Sequence, residues 1–391
     1  MRDLLWPLIM LFVLAVVLRS ELFFYLIYVL AGLQIMARFW LRQGARQLTW
    51  HRSAPAAAFP GERLTVTIEL ANTGLLPLPW LALHESLPPA LHTPPMIREV
   101  VSLGAGERRT LSYTLVGRRR GYYRLGPLSL QTGDVLGLGE RFLAGQAPDA
   151  LTIYPHVLPL EELGLPASLP FGTLPASQRL FSDPARPAGV RPYQPADGVR
   201  RIDWKATARA GAPQVRRYQP AIALETLVCL AFSREEYGSR YAYDTMERSL
   251  TAAASIAAHL ASRRQPVGLC TTGVDPALGA PPPPLPVAGG RSHLMEVLGV
   301  LGRLELAETG DLPAAMRQAT AHLGWGSTVV VITGQRGDAL IAELLPLRRA
   351  GLNVAVVIAE PDPEDLGLPR RHGIAAYGLW REGRPQKAFE P

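Results

Sequence analysis

Two apolar runs, Leu4–Leu18 and Leu22–Ala37, stand at the head of this chain, and Arg19-Ser20-Glu21 alone separates them. Apolar runs of this kind fold as helices that bury themselves in protein or in lipid. Each is about 15 residues, or about 22 Å as a helix, which falls short of the ~30 Å hydrocarbon core. Snorkelling of Arg19, Arg38 and Arg42, with local thinning of the bilayer, makes up the difference. Trp6, Tyr25, Tyr28 and Trp40 supply interfacial anchors. The pattern predicts a transmembrane helical hairpin over residues 1–46, with the lipid bilayer as its first partner. Arg38, Arg42 and Arg46 outnumber the single arginine at the tip, so the positive-inside rule turns both ends of the hairpin to the cytoplasm. The expectation is a multi-pass cell-membrane protein with two helices and cytoplasmic soluble domains. A shallow re-entrant anchor is the rival reading. A cleaved signal peptide fits poorly, because Arg-Ser-Glu-Leu offers no small-residue cleavage site.

The 391 residues leave room for two soluble domains behind such an anchor, and 48% hydrophobic residues can fill their cores. Residues 47–155 read as a small all-β sandwich. Leu64, Val66, Ile68 and Leu70 alternate onto one face. Further strands are predicted at Leu81–Glu85, Ile97–Leu103, Arg109–Val116, within Arg118–Leu130, and at Leu151–Tyr154. Gly104-Ala105-Gly106-Glu107 is expected to join the strands on either side of it as a hairpin. Residues 156–190 read as a Pro-rich linker. From Leu224 the pattern changes. Strands are predicted at Leu224–Phe232, Pro266–Thr271, Ser327–Thr333 and Asn353–Ala359, and helices at Tyr243–Arg263, Ser292–Leu304, Leu312–His322 and Asp338–Ala350. Gly273–Gly290, with four consecutive prolines from Pro281 to Pro284, reads as a loop. Strand–helix alternation argues a parallel sheet with helices on both faces.

The formal net charge is +7, and much of it comes as scattered arginine doublets such as Arg108-Arg109, Arg216-Arg217 and Arg348-Arg349. No aromatic residues interleave with them as a stacking platform, so nucleic acid is not an expected partner. Attraction to anionic lipid head groups stays open. Neither of the two cysteines, Cys229 and Cys270, has a C-x-x-C partner or a zinc spacing, and both fall in predicted buried strands. They read as reduced core thiols, which suits a cytoplasmic environment.

The densest set of committed polar groups lies in Arg191–Gln219. Arg191, Tyr193, Asp197, Arg200, Arg201, Asp203, Trp204, Lys205 and Arg209 are its candidate site residues. Asp197-Gly198 is a turn signal, Ile202–Ala210 a short helix ended by Gly211-Ala212-Pro213, and Gln214–Tyr218 a strand. Two readings stand. In one, arginine–aspartate pairs around Trp204 clasp the linker to the following domain, and loss of a buried Asp203 would cost about 3–5 kcal/mol. In the other, the segment is a recognition surface for an acidic partner. Lysine occurs only at 205 and 387, which singles out Lys205.

These residues resemble the signature of the domain-of-unknown-function-58 family, carried here by Arg191, Tyr193, Asp197, Arg201, Ile202, Asp203, Trp204, Ala206, Ala208 and Arg209, with Ala196 where a glycine is usual. Arg119–Leu138 also looks like that family's R-R-G-x-Y-x-L-G-P stretch and the D-x-x-G-L that follows it, with Val135 where proline is common. The resemblance implies a membrane-anchored protein ending in a von Willebrand factor A-like α/β (Rossmann-like) domain, and a MoxR-type AAA+ ATPase as its partner. It implies no reaction.

Ligands of open parallel sheets bind beyond the carboxyl ends of the strands. A metal-binding von Willebrand factor A domain carries Asp-x-Ser-x-Ser there, and its oxygens suit a divalent cation. Here the stretch reads Leu230-Ala231-Phe232-Ser233-Arg234-Glu235-Glu236, without the aspartate, and Thr333-Gly334-Gln335 follows the later strand. Ser233 and Thr333 make a degenerate site at most, with Glu235, Glu236 or Asp338 as the residues able to complete it. No metal and no cofactor are expected. G-x-S-x-G, Walker A, H-E-x-x-H and a strand-following G-x-G-x-x-G are all absent from the sequence. The expected function is therefore a non-catalytic, membrane-anchored scaffold or adaptor that binds a protein partner in assembly, maturation or envelope-stress work. The alternatives are a hydrolase with an unrecognised carboxylate or metal site, and a binder of anionic lipid or nucleic acid.

Overall fold

A computed structural model describes residues 5–18, 21–92, 94–134, 139–166, 182–194, 202–220, 225–237 and 242–380. The chain divides into two units, Met1–Pro155 and His156–Pro391.

The first unit opens with two helices, α1 (Leu5–Leu18) and α2 (Glu21–Gln47), whose Phe12 and Phe24 meet edge to face with ring centroids 6.4 Å apart. The tip residues Arg19 and Ser20 lie outside the described residues. α2 corrects the expected length. Its 27 residues do not stop at Ala37, and they span about 40 Å. It is long and apolar enough to cross a membrane; α1 contributes only a shorter apolar helix. The extension has a packing cause. Ala37, Leu41, Gly44 and Ala45 recur at helical spacing and are buried, so the last three turns rest on the β-rich domain that follows. Arg38, Arg42 and Arg46 thus stand on the helix and not after it.

That domain starts with no spacer, because β1 (Leu48–Ser53) follows Gln47 directly. Nine further strands complete it: β2 (Ala57–Ala58), β3 (Arg63–Asn72), β4 (Leu78–Ser86), β5 (Met96–Leu103), β6 (Arg108–Val116), β7 (Gly121–Leu125), β8 (Leu128–Gly133), β9 (Glu140–Gln146) and β10 (Asp149–Ile153). They form sheets ordered β1-β3-β6, β5-β4-β8-β9 and β2-β10-β7. The first two share one core, made by Leu48, Ile68, Leu70, Leu81, Leu103 and Leu130. The predicted hairpin at 104–107 is overturned. β5 pairs with β4 and β6 with β3, so the connection crosses from one sheet to the other. Asn72 holds the crossing in place: its Nδ2 donates to the Gly104 carbonyl at 2.9 Å, and its backbone N–H to the Glu107 carbonyl at 2.9 Å.

An ion pair is buried in this domain. Arg52 of β1 donates Nη1 to Glu85 Oε1 (2.6 Å), Nε to Asp149 Oδ2 (2.8 Å) and Nη2 to the Ala147 carbonyl (2.8 Å). The Arg52 and Glu85 side chains are 0% and 1% exposed, and Asp149 is 38% exposed at the rim. Burial pulls the guanidinium pKa down, but the bonds to Asp149 and Glu85 outweigh it and hold the group above its ordinary value. Burial and the Glu85 charge push the neighbouring Tyr113 hydroxyl up.

In the second unit, the stretch expected to be a linker is partly built. A 3-10 turn at Leu160–Leu163 buries Leu160 and Leu163, Leu165 is buried beside it, and the Leu158 N–H donates to Ser255 Oγ at 2.9 Å. Farther on, β11 (Ser182–Pro192) pairs antiparallel with β12 (Gln214–Pro220), and α3 (Trp204–Ala210) lies between them in the chain.

The remainder is one six-stranded sheet. Its strands are β13 (Thr226–Leu230), β14 (Val267–Thr271), β15 (Leu285–Ala288), β16 (Thr328–Thr333), β17 (Asn353–Ala359) and β18 (Ala375–Leu379), ordered β15-β14-β13-β16-β17-β18. All neighbours are parallel except β15, which runs antiparallel to β14 inside the stretch expected to be a loop. The flanking helices are α4 (Ala242–Ser262), α5 (Arg291–Arg303), α6 (Leu312–Thr320), α7 (Gly337–Arg349) and α8 (Pro363–Arg371). Leu227, Cys229, Val331 and Val356 pack with α6, α7 and α8 on one face. α4 crosses β13, β14, β16 and β17 and takes no part in that cluster, so it covers the other face. Cys229 and Cys270 are free, buried and in register on β13 and β14, and burial raises the Cys229 thiol pKa.

Candidate functional site

Two places in the second unit gather polar chemistry. The first is the signature segment. Gly211 takes the left-handed conformation (φ 67°) that ends α3, and its N–H returns to the Thr207 carbonyl. Asp203 is the N-cap, with Oδ1 accepting from the N–H groups of Lys205 and Ala206 at 3.1 Å each. Thr207 Oγ1 accepts the Gln214 N–H at 3.0 Å and ties the helix to β12. Tyr193 is held through its N–H to the Pro213 carbonyl (2.9 Å), and Arg191 Nη1 donates to the Pro192 carbonyl at 3.2 Å. Asp197, Arg200 and Arg201 lie outside the described residues. α3 buries no residue. Trp204 is 69% exposed, and Lys205 and Arg209 stand exposed beside it on a face about 140° wide.

The second place is the carboxyl edge of the six-stranded sheet at the β13–β16 boundary, where the strand order reverses and where sheets of this kind bind their ligands. A 3-10 turn, Arg234–Glu236, leaves β13 there and packs against Gly334 after β16, where a Cβ would clash with the Glu236 carbonyl oxygen. The Tyr237 hydroxyl donates to the Ala231 carbonyl at 2.9 Å and locks the turn down. Thr333 Oγ1, at the end of β16, donates to Glu236 Oε2 at 2.6 Å and turns its lone pair to the Gln335 N–H at 2.9 Å. Gln335 Nε2 continues the chain of bonds to Glu343 Oε1 at 3.3 Å. Burial raises the Glu236 pKa against the Thr333 bond, and the Glu343 charge adds to it. Burial likewise raises Glu343, with the Asp311 charge adding to it.

Ser233 is fully buried beside this turn, and its Oγ has no hydrogen-bond partner. Only glycine fits opposite it: a Cβ on Gly310 would stand 2.8 Å from Thr272 Cβ and 3.1 Å from Ser233 Cβ. Of the residues expected to complete a cation site, Glu236 is engaged by Thr333 and its pKa is raised by burial, while Glu235 and Asp338 are exposed. Among the described residues no group of three or more His, Cys, Asp or Glu is placed to share an ion. Asp311 and Glu343 belong to none of the motifs in the sequence. Asp311 was legible as an N-cap before Leu312-Pro313, and its Oδ1 accepts the Ala314 N–H at 2.8 Å. Glu343 has no such signal, being one polar residue on an otherwise ordinary amphipathic helix.

Comparison with known proteins bears on the signature segment. Residues 189–376 match the family described as "Protein of unknown function DUF58". The chain is similar to the uncharacterized protein YeaD of Bacillus subtilis, 25% identical over 329 residues that cover 78% of this chain and 74% of that one. It is also similar to the uncharacterized protein Rv1480 of Mycobacterium tuberculosis, 28% identical over 189 residues, covering 47% of this chain and 57% of that one. Among solved structures, the CARDB domain of PF1109 from Pyrococcus furiosus is 16% identical over 27% of this chain and 91% of its own length, with a TM-score of 0.21. A β-glucosidase from Listeria innocua matches over 28% of this chain and 16% of its own, with a TM-score of 0.18. At those scores neither structure says anything about the role of this chain.

Proposed function

We propose that this chain, whose residues 189–376 match the DUF58 family, is a non-catalytic membrane-anchored adaptor that presents α3 to a protein partner. Trp204 carries the reading. An indole left 69% exposed contributes little to a core, whereas tryptophan and arginine are the side chains that most often dominate protein interfaces. A clasp would bury it. Lys205 and Arg209 on the same face favour an acidic patch on the partner, and Asp203 and Gly211 hold the helix that displays all three. We read the second unit as von Willebrand factor A-like, which its strand order, with the first strand of the sheet at the centre, supports. The partner implied by the family resemblance is a MoxR-type AAA+ ATPase. α1 and α2 are read as a helical hairpin anchor with the soluble units on the cytoplasmic side, which the apolar length of α2 and its terminal arginines favour.

The test is affinity capture from mildly solubilised membranes, comparing wild type with Trp204→Ala/Lys205→Ala at equal folded abundance. Capture of an ATPase that is lost in the variant, at unchanged melting temperature, supports the adaptor. Capture of no specific protein by the wild type overturns it. One observation favours a second reading, a hydrolase: Glu236 and Glu343, both with raised pKa, sit at the strand-order reversal where such sheets bind ligands. Hydrolytic turnover of an ester or phosphate panel that is abolished by Glu236→Gln would establish it.

A further inference from the structure

Helix α2 has two faces beyond its apolar stretch. One carries Ala37, Leu41, Gly44 and Ala45 and is buried on the β-rich domain. The contact is close: a Cβ on Gly44 would meet Leu78 Cδ2 at 2.8 Å. Hydrogen bonds fix its rotation. Trp40 Nε1 donates to the Pro77 carbonyl (2.9 Å), and the Thr73 N–H and Oγ1 donate to the Gln47 carbonyl (2.9 and 2.8 Å). The other face carries Arg38, Arg42 and Arg46, all exposed, at i, i+4 and i+8. None of the three makes an ion pair or hydrogen bond with a described residue.

We infer that this arginine ladder binds the phosphates of anionic phospholipids in the leaflet that α2 enters. The inference rests on the membrane-anchor reading and adds a lipid class to it. Three observations single out lipid as the occupant. The ladder is continuous with an apolar surface, since Tyr28, Val29, Ile35, Met36 and Phe39 are all exposed on the same helix. It begins one residue after the apolar run ends and climbs about 12 Å, enough to cross the headgroup layer of about 5–8 Å. The docked domain occupies a neighbouring face, centred about 115° round the helix, so it fixes the rotation of α2 and leaves the arginine face open. A guanidinium offers a phosphate two parallel N–H bonds, and one arginine per turn lets successive headgroups be taken at successive depths.

The experiment uses the full chain in phosphatidylcholine vesicles that carry a trace of spin-labelled phosphatidylglycerol or spin-labelled phosphatidylcholine. The measured quantity is the fraction of label immobilised by the protein. Wild type is expected to prefer phosphatidylglycerol several-fold, on the order of fivefold per engaged arginine, and less at high salt. Arg38→Gln/Arg42→Gln/Arg46→Gln is expected to bring the ratio to unity. The control Arg291→Gln/Arg317→Gln/Arg349→Gln removes the same charge from exposed positions of the other unit and is expected to retain the preference. Equal immobilisation of both lipids by wild type, or an undiminished preference in the ladder variant, overturns the inference while the anchor stands. Release of the protein from the vesicles by alkaline carbonate overturns the anchor, and the ladder with it.

Discussion

Removing Arg52 tests the energetics of the β-rich domain most directly. Its guanidinium is fully buried and makes three bonds of 2.6–2.8 Å to Glu85, Asp149 and the Ala147 carbonyl. In Arg52→Met the stem volume is nearly conserved, so little of the loss is packing. What remains is Glu85, 1% exposed, with Oε2 already lacking a hydrogen-bond partner and Oε1 now lacking its cation. Breaking a buried pair from one side costs about 3–5 kcal/mol, because the surviving charge is uncompensated. Asp149 adds little, since it can turn to water at the rim. For a domain of this size about 4 kcal/mol lowers the midpoint on the order of 15 °C. Scanning calorimetry of the detergent-solubilised chain should show that fall in the transition of the first unit and none in the second. Arg52→Met/Glu85→Leu replaces both charges by apolar groups and should recover at least half of the loss, giving a coupling of about 2 kcal/mol or more. Two single variants costing under about 1 kcal/mol each, or a double variant equal to their sum, would refute the reasoning.

Three further outcomes are expected. Asp203→Ala removes the N-cap of α3 and should cost about 1 kcal/mol, with Asp203→Asn close to wild type; hydrogen exchange of the Lys205 and Ala206 amides reads this locally. Glu236 and Glu343 hold their protons in the folded state at pH values where the unfolded chain, with carboxyls near about 4.3, has lost them. The stability they contribute is complete below that value and declines as pH rises through the folded pKa, so the second unit should melt higher at pH 5 than at pH 8 on their account. Glu236→Gln should flatten that slope, and an unchanged slope would assign it elsewhere. Gly44→Val drives a side chain into Leu78 and should cost about 1–3 kcal/mol, seen as faster proteolysis at the α2–β1 junction.

The buried strands were the legible part of the fold. β13, β16 and β17 are continuous apolar runs, and β3 alternates strictly, so composition and period agree. Elements whose residues carry contrary signals escaped. α8 holds Pro363, Gly367 and Pro369, and it stands through an Asp362–Asp365 capping box that no apolar period announces. β15 follows four prolines and survives as an antiparallel edge. β9 points Phe142 outward, 75% exposed, against the usual pattern. The extension of α2 was hidden because its arginines read as flanks while its small buried residues read as nothing. Of the site, the helix of the signature and its end at Gly211 are legible in the sequence, whereas Asp203, expected inside a helix from Ile202 as an ion-pair partner, is the N-cap of a helix that begins at Trp204. The exposure of Trp204 is not legible, since sequence gives a tryptophan no preference between clasp and surface. Nor is the Glu236–Thr333 contact, which joins residues 97 positions apart.

The absence of any residue between α2 and β1 has a mechanical consequence. A domain on a flexible tether is indifferent to the angle of its anchor, but one welded to the helix turns with it. Helices tilt to match bilayer thickness, by up to tens of degrees. With a domain ~30 Å across fixed to its end, a ~20° change of tilt would sweep the far rim through ~10 Å. With α2 as the proposed anchor, the junction at Gln47–Leu48 would work as a lever, converting membrane thickness into the position of the β-rich domain relative to the membrane surface.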